Sequence, residues 1–175
     1  MSSPETPRQG AAEAAFCAAN RWVLVLLLGV MAALVIGNVI ARYVFNHSFP
    51  WVEEATRYMM IWAVFLGVGP ALRVGGHIAV ETLPNSLPPG AARALRALLA
   101  LVMAVTLAVL VWLGIEYAQF AWEQESPVLG WSLGKVYAAI PVGSALALVH
   151  LAQVARGWVG TGDWERVEGF DPQAL

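Results

Sequence analysis

Few side chains in this sequence could carry chemistry. Glu53 and Glu54 are adjacent, Arg57 follows four and three residues behind them, and Arg42 precedes Glu53 by eleven. On a helix Arg57 can meet either carboxylate. Such a group can clamp two elements as an ion-pair cluster, present a docking surface to a partner, or hold a proton or substrate. Of the three histidines, His77 and His150 could together ligate a haem, as in a bis-His membrane cytochrome of b type. Both also have ordinary polar neighbours: Glu81 four residues after His77, and Gln153 and Arg156 after His150. The single cysteine, Cys17, excludes an internal disulfide and a Cys-based zinc cluster, and no base stands near it. No nucleophile–base pair and no Walker-type glycine-rich loop is present, so nothing points to an enzyme.

The elements that would position these residues are set by hydropathy. Of 175 residues, 59% are hydrophobic and 13% charged, and the mean hydropathy is +0.64. Soluble domains average roughly 45–50% apolar and about 25% charged. A net charge of -2 argues against a nucleic-acid partner. Charges cut the chain into four apolar blocks: Trp22 to Ala41, Tyr58 to Leu72, Ala97 to Ile115 and Val136 to Ala155. A bilayer core takes roughly 20 helical residues. The second block is too short alone and needs its amphipathic lead-in from Trp51. Backbone in lipid must pair internally, and no two-residue alternation suggests a barrel. The sequence therefore predicts an all-α integral membrane protein, one domain of four transmembrane helices over roughly 21–44, 51–74, 93–118 and 135–157. Residues 1–9 and 161–175 read as flexible tails. The first block is too long for a signal-peptide core and lacks a small-residue cleavage site, so it reads as a retained helix.

Lys and Arg favour both termini in the cytoplasm. That arrangement puts Arg8, Arg21, Arg73, Arg93, Arg96, Arg156 and Arg166 inside, against Arg42, Arg57 and Lys135 outside. Phe49 before Pro50 should be extended, and Pro50 suits a helix start with Glu53 and Glu54 in the first turn. The Arg42–Glu53–Glu54–Arg57 group then joins helices one and two at the outer interface, away from the bilayer midplane that a proton or substrate site would need. The clamp is the favoured reading and the docking surface its competitor. Gly29, Ala33 and Gly37 form a small-residue stripe suited to close packing, either within the unit or against a partner subunit. Gly67, with Gly69 and Pro70, suits close packing or bending of helix two. Intramembrane carboxylates are absent from the blocks, which argues against an autonomous proton-coupled exporter.

The stretch from Asn38 to Glu81 also resembles the small membrane subunit of tripartite ATP-independent periplasmic (TRAP) transporters. The resemblance rests on Asn38, Arg42, Tyr43 and Phe45, then Trp51, Glu53, Glu54 and Arg57, then Trp62, Leu66 and Gly67, and finally Arg73 and His77. Helices three and four match only in apolar character. The resemblance implies a multi-pass subunit of the bacterial inner membrane, surrounded by lipid. It would brace the static scaffold of a large polytopic permease subunit that moves as an elevator. A periplasmic solute-binding receptor would deliver an organic acid for sodium-driven import, contacting the complex transiently. Sodium would bind to the large subunit, leaving this chain without a cofactor.

Overall fold

The computed structural model describes residues 11–73 and 87–162. Its helices are α1 (Ala11–Val44), α2 (Pro50–Arg73), α3 (Pro89–Phe120), the short α4 (Leu133–Tyr137) and α5 (Ala139–Thr161). Four segments are long and apolar enough to cross a membrane, α4 and α5 together forming the last. Among the described residues there is no strand, and one isolated bridge joins Glu125 to Ser132.

Local chemistry fixes the helix ends. Pro50 and Pro89 open α2 and α3, where a missing N–H costs nothing. Gly162 ends α5 at φ 85°, its N–H returning to the Trp158 carbonyl at 2.8 Å. Thr161 is thus the last helical residue, its hydroxyl bonded to the Gly157 carbonyl. At its other end, α1 begins well before Arg21, because the alanine-rich run from Ala11 is itself a strong helix former.

The helices stand in a row, α1–α2–α5–α3, with the closest association between α2 and α5. The backbone of α1 approaches only α2. Along α1, Glu13, Cys17, Asn20, Leu24, Leu27, Met31, Leu34, Asn38 and Ala41 alternate steps of four and three, and none is exposed. That 3.5-residue period is the seam of two helices in coiled-coil contact. The core lies on the other side of α2, where Leu72, Leu107, Ala147 and Leu151 meet.

Candidate functional site

Polar side chains concentrate at the two ends of the row. At the first end, Asn38 closes the α1–α2 turn: its Oδ1 accepts the Phe49 N–H at 2.8 Å. The turn includes Asn46 at φ 51°, a left-handed position that asparagine tolerates. Arg42 donates to Glu53 at 2.6 Å, with both side chains more than half exposed. Glu54 is 5% exposed and forms an ion pair with neither arginine. One oxygen accepts the Tyr58 hydroxyl at 2.6 Å; the other accepts the N–H groups of Val128 and Leu129 at 3.1 and 2.8 Å. Two backbone donors converging on one carboxylate oxygen form a charge-assisted anchor. The anchored loop is further braced by Trp131 N–H to Ser126 Oγ and by Ser132 Oγ to the Trp122 carbonyl. It displays Trp122, Val128 and Trp131, each more than half exposed.

The sequence-derived clamp is therefore divided. Arg42 and Glu53 make the ion pair, Glu54 holds a loop 74 residues away, and Arg57 is exposed and bonded to neither carboxylate. Glu54 instead points toward the connection between α3 and α4, where two backbone N–H groups converge on one of its oxygens. Trp51 is 41% exposed and packs its ring near Phe49, while Trp62 is half-buried and takes no part in either polar group.

At the second end, a polar network crosses three helices. Arg73 of α2, only 4% exposed, forms an ion pair with Glu13 of α1 and donates to Gln153 of α5. Its guanidinium also lies 3.4 Å from Nδ1 of His150, which is fully buried. On the far side of that ring, Asn20 Nδ2 stands 3.2 Å from Nε2. Phe16 covers the ring with centroids 4.7 Å apart. Both nitrogens of His150 thus face protein donors, which leaves no open ring nitrogen for haem iron. The proposed second ligand, His77, lies outside the described residues. So do residues 1–9 and 163–175.

The stripe of Gly29, Ala33 and Gly37 does not pack within the chain. All three residues are exposed, and a Cβ built on Gly29, Gly37 or Gly67 would meet nothing within 4 Å. Gly29, Ala33 and Gly37 fall off the α2-facing seam, whose middle is lined by Leu24, Leu27, Met31 and Leu34. Close approach occurs at other glycines. A Cβ on Gly143 would lie 2.6 Å from the Phe65 backbone, on Gly114 2.8 Å from Pro141, and on Gly69 2.2 Å from the His150 ring. Sequence reasoning also passed over Glu13, Asn20 and Tyr58 as members of these networks, and placed Gln153 beside His150 without its bond to Arg73. For Asn20 a signal existed: it lies 18 residues, or about five helical turns, before Asn38, hence on the same face.

A groove of about 470 Å³ opens beside α3, lined by Leu113, Gly114, Tyr117, Phe120 and Ile140. Its one carboxylate, Glu116, accepts the Trp112 indole N–H at 2.9 Å. Among the described residues, no group of three His, Cys, Asp or Glu side chains could hold a metal ion.

Residues 31–160 match the family model described as tripartite ATP-independent periplasmic transporters, DctQ component. The chain is 30% identical over 124 residues to the ectoine TRAP transporter small permease protein TeaB of Halomonas elongata, covering 69% of this chain and 64% of that protein. It is 28% identical over 156 residues to the C4-dicarboxylate TRAP transporter small permease protein DctQ of Vibrio cholerae, covering 89% of this chain and 62% of the relative. It thus spans less than two thirds of either relative. A third similarity, 23% over 134 residues, is to the sialic acid TRAP transporter permease protein SiaT of Haemophilus influenzae. That match covers 77% of this chain but only 22% of SiaT.

Proposed function

Because the chain belongs to the DctQ component family of TRAP transporters, a family of multi-pass inner-membrane transporter subunits and not of enzymes, we propose that it braces the scaffold of a large elevator-type permease subunit. In this reading the complex imports an organic acid, driven by sodium. A periplasmic receptor delivers the solute, sodium binds to the large subunit, and both termini of this chain are cytoplasmic.

The observation that carries the reading is the open row of helices. A row has two broad faces and two edges, and α1 leaves its surface away from α2 uncovered, including Gly29, Ala33 and Gly37. Small residues let another helix approach closely in lipid, so this surface suits the large subunit. The SiaT similarity supports the same partnership, since a stretch like this chain forms about a fifth of a longer permease. The polar groups support a scaffold as well: each is engaged in fixing one element to another. The solutes named for the three relatives differ from one another, consistent with solute choice residing outside this chain.

The test is affinity purification of the tagged chain from its native membrane, with mass spectrometry of what accompanies it. A large polytopic permease in comparable amount is expected. Purification of the chain alone, or as a red haem protein, would overturn the assignment.

A further inference from the structure

Pro70 lies inside α2, where it cannot supply the N–H that would pair with the carbonyl of Leu66 four residues earlier. In a bilayer that carbonyl has no water to turn to, and the deficit must be met by protein. The donor comes from another helix: Asn20 Nδ2 of α1 bonds the Leu66 carbonyl at 3.2 Å. Both residues are buried, at 7% exposure each. The same amide nitrogen stands 3.2 Å from His150 Nε2 on α5. His150 in turn reaches this depth only because residue 69 lacks a side chain; a Cβ there would lie 2.2 Å from its Cδ2.

We propose that Asn20, Pro70 and His150 form a lock that fixes α1 on the α2–α5 pair, the Asn20 amide standing in for the peptide N–H that Pro70 lacks. The proline break creates the acceptor, α1 supplies the donor, and the imidazole positions that donor. Phe16 against the ring and the Glu13–Arg73 ion pair close the lock on either side. The tilt of α1 is thereby set at this end by a specific polar contact, since between it and Asn38 the seam with α2 (Leu24, Leu27, Met31, Leu34) is apolar. The lock lies within the isolated chain and holds whatever partner α1 meets.

The lock makes a conditional prediction: Asn20 matters because residue 70 is proline. The experiment is a double-mutant cycle on the full chain in detergent, with Asn20→Leu, Pro70→Ala and both together. The readouts are the thermal midpoint and the distance distribution between spin labels at Leu26 and Val149, both exposed, with Cys17 replaced. Asn20→Leu is expected to lower the midpoint by about 3–6 °C and broaden the distance distribution. With alanine at position 70, where the helix restores its own N–H, the same substitution should cost less than half as much. Equal losses in the two backgrounds, or an unchanged distance distribution in Asn20→Leu, would overturn the lock. If Asn20→Leu alone fails to accumulate, the double variant gives the same reading through yield: recovery supports the lock, and continued failure overturns it. None of these readouts requires a second subunit, so the outcome is separable from the proposed function.

Discussion

Gly143→Ala tests how tightly α2 and α5 are joined. The added Cβ would stand 2.6 Å from the carbonyl carbon, carbonyl oxygen and Cβ of Phe65. Carbon atoms rest at about 3.5–4.0 Å, so roughly 1 Å must open between the helices. The obstructing atoms are backbone and Cβ, so no rotamer change of Phe65 relieves the clash. Overpacking of this kind costs about 1–3 kcal/mol. Replacing glycine in a helix also returns about 0.5–1 kcal/mol of backbone entropy. Gly37→Ala provides the control, because its Cβ meets nothing within 4 Å and only the entropic gain applies. The difference between the two variants is therefore the overpacking cost itself. For a chain of this size each kcal/mol moves the thermal midpoint by about 2–4 °C. Gly143→Ala should unfold about 2–12 °C below Gly37→Ala, followed by tryptophan fluorescence in detergent. Coincident midpoints would refute this close α2–α5 spacing, and so would a Gly37 variant that is the weaker of the two.

Gly37→Leu should leave the isolated chain as stable as the parent within about 0.5 kcal/mol, as expected for an uncrowded exposed site, yet reduce recovery of a large permease partner; pull-down yield beside a melting curve separates the two effects. Asn38→Ala removes the acceptor for the Phe49 N–H and should cost about 1–3 kcal/mol by thermal unfolding. Glu53→Ala breaks an exposed ion pair and should cost no more than about 1 kcal/mol, while Arg57→Ala should leave the isolated chain's melting unchanged. Glu54→Gln should raise amide exchange at Val128 and Leu129 above that of Trp131, whose N–H bonds Ser126 instead; unchanged exchange at both would count against the anchor.

Much of the architecture was legible because lipid leaves the backbone few choices. Charge-free runs marked spanning helices, and Phe49-Pro50 marked where α2 begins. The pairing of individual side chains was less accessible. Glu53 and Glu54, four and three residues before Arg57, both lie within its reach on a helix, and nothing local reveals that Glu54 faces a loop 74 residues away. The glycine stripe left its packing partner open for a related reason. A four-residue stripe of small residues reports that a helix can be approached closely, but not from which side. The glycines that do crowd neighbours, Gly69, Gly114 and Gly143, are fixed by partners such as His150, Pro141 and Phe65 on other helices. Arg73 entered the sequence reading as a charge favouring one side of the membrane. Its burial among Glu13, His150 and Gln153 depends on α5 arriving beside it.

That dependence imposes an order on biosynthesis. Asn20 and His150 are 130 residues apart, so the amide leaves the ribosome long before the imidazole it will meet. At about 5–20 residues per second, the interval is roughly 6–26 s. During it, Glu13, Asn20 and Arg73 must wait without Gln153 and His150, in or beside the membrane. Glu54 waits similarly for the Val128 and Leu129 amides, which emerge after α3. The nascent chain therefore cannot complete its polar contacts helix by helix. Glu54 is satisfied once the loop after α3 emerges, but the network of Arg73, Asn20, His150 and Gln153 closes only when α5 inserts, which places the greatest demand for shelter on the half-made protein at the insertion machinery.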